Sequence, residues 1–230
     1  MRIALISDVH ANPVALEAVM ADIRERQADQ VICLGDLVGA GPDPAAVVDR
    51  IRELNIPVVR GNWDEAVVKN TPFKEDDYVR EHLRFTRERL QPEHLDYLAQ
   101  LPLKREWEWD GVRLEVFHAN PENVMDVVPP DASPAEVARQ MRSGAAIVAY
   151  GHIHRPYVRW LDGKALISVG YCSLHLDGDP RAAYTLLELA RDGAISVTQR
   201  RIPYDRQQVV RMAEKAGLPV LDGFRRLMMV

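Results

Sequence analysis

Four of the chain's seven histidines fall in short segments rich in polar donors: Asp8-Val9-His10, Phe117-His118-Ala119-Asn120 and Gly151-His152-Ile153-His154. Two further segments, Gly35-Asp36 and Gly61-Asn62-Trp63-Asp64, add carboxylates and an amide. Imidazole, carboxylate and amide oxygen are borderline-to-hard ligands. Grouped without thiolate, they suit manganese, iron or zinc and argue against copper or iron–sulfur chemistry. An extended backbone through Asp8-x-His10 and His152-x-His154 would put both members of each pair on one side, because the strand period is two. The other histidines, His82, His94 and His175, stand in polar helical or loop context, and spacing assigns them no role.

The elements that must position these groups are legible as a repeated grammar. Each segment follows an apolar strand pattern, at residues 3–6, 31–34, 57–59, 112–116 and 145–149, so five strand ends are expected to meet at one rim. Helical spacing over 13–26 and 44–54 separates the first three, the signature of parallel crossover units, whose ligands collect beyond the carboxyl ends of the strands. Residues 64–101 read as a helical insertion over the site, with Tyr78, Leu83, Phe85, Leu90, Leu95 and Leu98 as its buried face. From Arg105 onward, strands alternate around Asp-Gly turns at 110–111, 162–163 and 192–193. A helix over 134–142 opens with the capping box Ser133 and Glu136. A last helix over 206–215 precedes a tail, 224–230, expected to be a short packed helix or a partner contact. No proline- or serine-rich linker interrupts the chain, so residues 1–230 read as one domain.

Composition narrows the function classes. In 230 residues, 47% hydrophobic and 27% charged, disorder and fibrous repeats are excluded. A net charge of −5 without a basic run makes nucleic acid an unlikely partner by charge alone. Apolar stretches such as 145–149 fall far short of the roughly 18 residues that a membrane helix needs. Cys33 and Cys172 are too few for a disulfide framework and read as reduced thiols in a cytoplasmic protein. No Gly-x-Gly-x-x-Gly follows the first strand, which argues against a dinucleotide-binding oxidoreductase.

Taken together, the motifs D-x-H, G-D, G-N-x-D, a further His and G-H-x-H resemble the calcineurin-like metallophosphoesterase superfamily. Ser7 to Pro13, Gly35 to Gly39 with Gly41-Pro42-Asp43-Pro44, and Asp177 to Tyr184 extend the likeness to its small single-domain bacterial and archaeal branch. The resemblance implies an α/β fold of two packed mixed β-sheets flanked by helices, with two divalent metal ions at one rim. Manganese is the leading candidate, iron or zinc the others. Asp8, His10, Asp36 and His154 would hold one ion. Asp36, Asn62, His118 and His152 would hold the other, with Asp36 bridging. Asp36 and Asn62 are accordingly the catalytic candidates, around a metal-bridging hydroxide as nucleophile. The expected substrate is a small phosphoester, drawn to a locally positive site in an acidic protein. The oligomeric state, a homo-oligomer included, stays open.

The sequence departs from the family at two places. The usual G-N-H-D/E motif reads Gly61-Asn62-Trp63-Asp64, and an indole has no titratable proton to give a leaving group. A positioned general acid contributes about 10² to 10⁴ in rate, so poor leaving groups suffer most. The expectation is therefore a phosphodiesterase on nucleotide-like or cyclic esters. The alternatives are a phosphomonoesterase or protein phosphatase, and a metal-binding scaffold with little catalysis. Trp63 either stacks on a base or plugs the loop, and Asp64 is expected to cap a helix beginning near Glu65. The second departure is Ser168 to Ser173, where relatives often show Asn-Pro-Gly-Ser. Asn12 reads as a substrate or loop-positioning residue, and Arg181 as a phosphate contact or a structural partner of Asp177 or Asp179.

Overall fold

A computed structural model describes residues 1–190 and 192–229 of the chain. The first half runs β1 (Arg2–Ile6), α1 (Pro13–Glu25), β2 (Gln30–Cys33), α2 (Pro44–Leu54), α3 (Asn62–Lys69), α4 (Asp77–Arg87) and α5 (Pro92–Ala99). The second runs β3 (Lys104–Trp109), β4 (Val112–Phe117), α6 (Pro134–Gln140), β5 (Ile147–Tyr150), β6 (Tyr157–Leu161), β7 (Lys164–Ser168), β8 (Ala182–Leu189), β9 (Ile195–Ile202), α7 (Arg206–Ala216) and α8 (Leu221–Met229). Local chemistry sets the boundaries. Asn12 and Asp43 accept the backbone N–H of Ala15 and Ala46 at 3.1 Å, and a proline follows each cap. Asp110-Gly111 and Asp162-Gly163 have positive φ at both residues, as two-residue hairpin turns require.

The strands form two mixed sheets, in the orders β2-β1-β8-β9 and β3-β4-β5-β7-β6. β1 pairs with β2 in parallel, as does β5 with both β4 and β7; the remaining pairs are antiparallel. Side-chain alternation then builds the layers. Ile3 and Leu5 of β1 meet Leu114, Val116, Ile147 and Ile167 between the sheets. Ala4 and Ile6 face the other way, onto Leu16, Val19, Val47 and Ile51 of α1 and α2. On the far face, Val148 and Tyr150 pack with Val137 of α6. The result is a helix–sheet–sheet–helix sandwich. Burying each such aliphatic side chain is worth about 1.5–3 kcal/mol, which makes the rim beyond these strand ends a rigid mount.

Three expectations need correction. Residues 57–59 form no strand of their own: Val58 makes an isolated parallel bridge to Cys33, since Pro57 has no N–H to extend a ladder and the chain turns into α3 three residues later. That helix begins at Asn62 rather than near Glu65, with Asp64 inside its first turn. Tyr78 is 42% exposed and Leu95 half-buried, whereas Leu83, Phe85, Leu90 and Leu98 are buried as expected. The tail folds as α8, packing through Phe224 and Met228 with α7, Val79 and Phe85 of α4, and Trp63; Val230 lies outside the described residues. Among the described residues no helix is long and apolar enough to cross a membrane.

Candidate metal centre

Six of the seven candidate ligands lie on loops beyond the strand ends and Asn62 opens α3; the backbone is left-handed at Asp8 (φ 54°), His10 (45°), Asp36 (52°), His152 (67°) and His154 (50°). Outside glycine that conformation costs roughly 1–2 kcal/mol per residue, with aspartate and histidine among its more frequent occupants. The period-two argument for Asp8-x-His10 and His152-x-His154 is therefore wrong: tight turns, not extended strands, aim these side chains. Backbone bonds pin the turns together, from Asp8 N to Gly35 O (3.0 Å), His10 N to Asp36 O (3.0 Å) and Gly151 N to His118 O (2.9 Å). The second pair is also split. His154 groups with Asp8 and His10, and His152 with Asp36 and His118.

Proton accounting in these two groups points to a cation. Nδ1 of His10 donates to Gly39 O at 3.3 Å, Nδ1 of His118 to Leu34 O at 2.7 Å, and Nδ1 of His154 to Leu174 O. A carbonyl only accepts, so each neutral ring carries its proton on Nδ1 and presents a bare lone pair at Nε2. Nε2 of His10 nevertheless faces Nε2 of His154 at 3.0 Å. Asp8 Oδ1, buried and without a hydrogen bond, lies 3.2 Å from the latter nitrogen. In the second group, Nε2 of His118 lies 3.0 Å from Asn62 Oδ1 and 3.1 Å from His152 Nδ1, which are 2.8 Å apart. Asp36 Oδ2 stands between the groups, 3.7 Å from His10 Nε2 and 3.5 Å from His118 Nε2. Lone pairs converging in a buried site repel one another unless a proton or a cation sits among them. The donor set fits divalent metal ions.

Without metal, protons must do that work. Burial pulls His154 down, but the adjacent Asp8 carboxylate overrides it and holds the imidazole above its ordinary value. Asp8 conversely resists its own burial and, facing His154, stays well below the carboxylate range. Burial lowers His10 and His118, and takes His152 down to about 4. Asp36 is pushed well up by burial and by the charges of Asp64 and Asp8.

Asp64 does more than cap a helix. Wholly buried, it accepts from the N–H of Asp36 (2.9 Å), Leu37 (3.0 Å), Val38 (3.4 Å) and Gly61 (2.9 Å), and so fastens the Asp36 loop to the Asn62 loop. Burial still lifts its carboxyl to about 6. Asp36 Oδ1 is fixed in turn by the N–H of Trp63 at 2.9 Å. Only its place at the start of a helix hinted at a capping role; its reach to the Asp36 loop is set by tertiary structure.

The substrate candidates are placed as follows. Asn12 is wholly buried, its oxygen capping α1 and its amide donating to Ser173 Oγ at 3.1 Å. Trp63 is 5% exposed, set edge-on to Phe73 at 5.0 Å and to His82 at 6.3 Å, so it plugs the loop rather than offering a ring face to a base. Arg181 grips Asp179 at 2.6–3.2 Å, the structural pairing anticipated for it. His82 is buried beside Trp63 without a hydrogen bond at Nδ1. Cys33 and Cys172 are buried free thiols.

The family model for the calcineurin-like phosphoesterase superfamily domain matches residues 1–192. An uncharacterized protein of Methanocaldococcus jannaschii is 30% identical over 244 residues, covering 97% of this chain and 96% of that one. The crystal structure of a metallophosphoesterase from Sphaerobacter thermophilus is 31% identical, with a TM-score of 0.82 over 99% of this chain and 98% of its own. That of a hypothetical protein from Pyrococcus horikoshii shares the fold at 20% identity, with a TM-score of 0.86 over 99% and 97% of the two chains.

Proposed function

Because the chain belongs to the calcineurin-like phosphoesterase superfamily, we propose that it is a binuclear metal-dependent hydrolase of small nucleotide-like or cyclic phosphodiesters, working in the cytoplasm. The observation behind this reading is the set of bare imidazole nitrogens facing one another and two buried carboxylates, a cage that cations complete. Asp8, His10 and His154 would hold one ion, Asn62, His118 and His152 the other, and Asp36 both. Manganese suits the nitrogen and oxygen donors, as do iron and zinc. When bound, two such ions supply a nucleophilic oxygen at neutral pH and draw charge from the phosphoryl group.

The chain's own residues do the rest. Asp64 keeps Asp36 and Asn62 in register, and the carbonyls of Gly39, Leu34 and Leu174 hold three imidazoles in the tautomer that leaves Nε2 free to bind. With Trp63 where the motif histidine would stand, no titratable group at that position protonates a departing oxygen. Diesters with good leaving groups need that help least.

The test is hydrolysis of bis(p-nitrophenyl) phosphate and p-nitrophenyl phosphate by manganese-loaded protein. Diester cleavage abolished by Asp36→Ala is expected, and Trp63→His should shift the ratio of activities toward the monoester. A folded, metal-loaded protein inert on both esters would leave a binding scaffold in place of an enzyme.

A further inference from the structure

One segment braces a single half of the centre. Between β7 and β8, Cys172 N donates to Ser7 O at 2.8 Å and Ser173 N to Asp8 O at 3.0 Å, so the Asp8 turn hangs on this loop. Leu174, itself left-handed at φ 60°, supplies the carbonyl that fixes His154 Nδ1. Tyr171 lies nearly parallel to the His154 ring, with centroids 5.8 Å apart and planes inclined by 13°. Its ring is 1% exposed. The hydroxyl lies 2.5 Å from Asp177 Oδ1 and 2.6 Å from Asp179 O, one of which takes its proton, and accepts from Arg201 Nη1 at 2.6 Å. Arg201, on β9, closes the triangle by pairing with Asp177. Imidazole can swing about χ2 in its broad rotamer well. The Leu174 carbonyl restrains it at one edge and the Tyr171 ring from one face. The other half leans elsewhere for three of its four members, His118 on Leu34 O and Asp36 and Asn62 on Asp64, and meets the first half where His152 N donates to Asp8 Oδ2 at 3.0 Å.

We propose that Tyr171, tethered by Asp177 and Arg201, is a positioning residue that sets the affinity of the Asp8–His10–His154 site without setting that of its neighbour. This rests on the binuclear reading above. Outer partners of metal ligands typically contribute 10–100-fold in affinity, so Tyr171→Leu should weaken one of two manganese ions by about that factor and leave the other unchanged. Tyr171→Phe, which keeps the ring and loses the tether, should fall between.

Equilibrium dialysis against manganese with elemental analysis gives both affinities, and electron paramagnetic resonance distinguishes a spin-coupled pair from a lone ion. Wild type is expected to bind two ions as a coupled pair. At the same free manganese, folded Tyr171→Leu should hold one ion, with the lone-ion spectrum of His154→Ala rather than that of His118→Ala. Two ions at wild-type affinity in folded Tyr171→Leu would overturn the proposal alone, as would equal weakening of both. A wild type binding fewer than two ions would overturn the binuclear reading, and this proposal with it.

Discussion

Gly61 stands where backbone meets the bridging candidate. Its φ of −94° and ψ of 177° suit any residue, so the glycine is required by space and not by conformation. A Cβ there would lie 2.1 Å from Asp36 Oδ1 and 2.3 Å from Asp36 N. Comfortable carbon contacts begin near about 3.5 Å, so Gly61→Ala must drive the carboxylate back by more than about 1 Å. Metal sites tolerate departures of only about 0.2 Å in ligand distance. Asp36 Oδ2 faces both groups of ligands, so the displacement should harm both sites together, about 100-fold in affinity by comparison with other losses around metal ligands. Overpacking of this kind costs about 1–3 kcal/mol, which leaves a folded protein. Elemental analysis after manganese loading, with urea unfolding in the presence of chelator, separates the two effects. Two tightly bound ions in folded Gly61→Ala would refute the claim that Asp36, as placed here, serves both sites.

Two further expectations follow from buried titratable groups. Asp64→Ala strands four buried N–H donors, and the relief of a carboxyl that burial has already lifted to about 6 offsets part of the loss, so a net destabilisation of about 3 kcal/mol is expected by urea unfolding; a loss below about 1 kcal/mol would refute it. His82 is lowered by burial and by the nearby His10 to about 4, against roughly 6.5 when unfolded. Its neutral form is native at neutral pH, so it imposes no pH dependence above about 6.5. As pH falls from there to about 4 the unfolded chain takes up the proton first, and stability drops by about 3 kcal/mol. In chelator, His82→Leu should remove that part of the acid slope, and an unaltered slope would show His82 titrating normally.

Strand-then-ligand segments made the convergence of the candidate ligands legible in the sequence, because apolar runs ending at Asp8, Asp36, His118 and His152 encode burial and chemistry together, and the family resemblance implied the two mixed sheets that the structure has. What stayed hidden was backbone conformation. The left-handed turns at Asp8, His10, Asp36, His152 and His154 leave no mark in a pattern of residue types, since aspartate and histidine occupy extended and helical backbone as well. Asp64 looked like a helix cap because that much is local; its bonds to Asp36, Leu37 and Val38 span 26 to 28 residues. The Tyr171–Arg201 contact, 30 residues apart, exists only because β8 and β9 pair, placing Arg201 opposite Ala183. The 57–59 segment misled because three apolar residues before a ligand loop look alike whether they form a ladder or a single bridge.

The indole at position 63 sits in the volume that a side chain at Gly39 would need: a Cβ there would fall 2.3 Å from Trp63 Cδ2, and the φ of 80° at Gly39 discourages any such side chain. The two positions are interlocked. Replacing the indole at 63 by the smaller imidazole opens a void that no residue at 39 can fill without backbone strain, so neither position can change cleanly without the other. The side chain that position 63 can carry is thereby fixed by packing as well as by any chemistry asked of it.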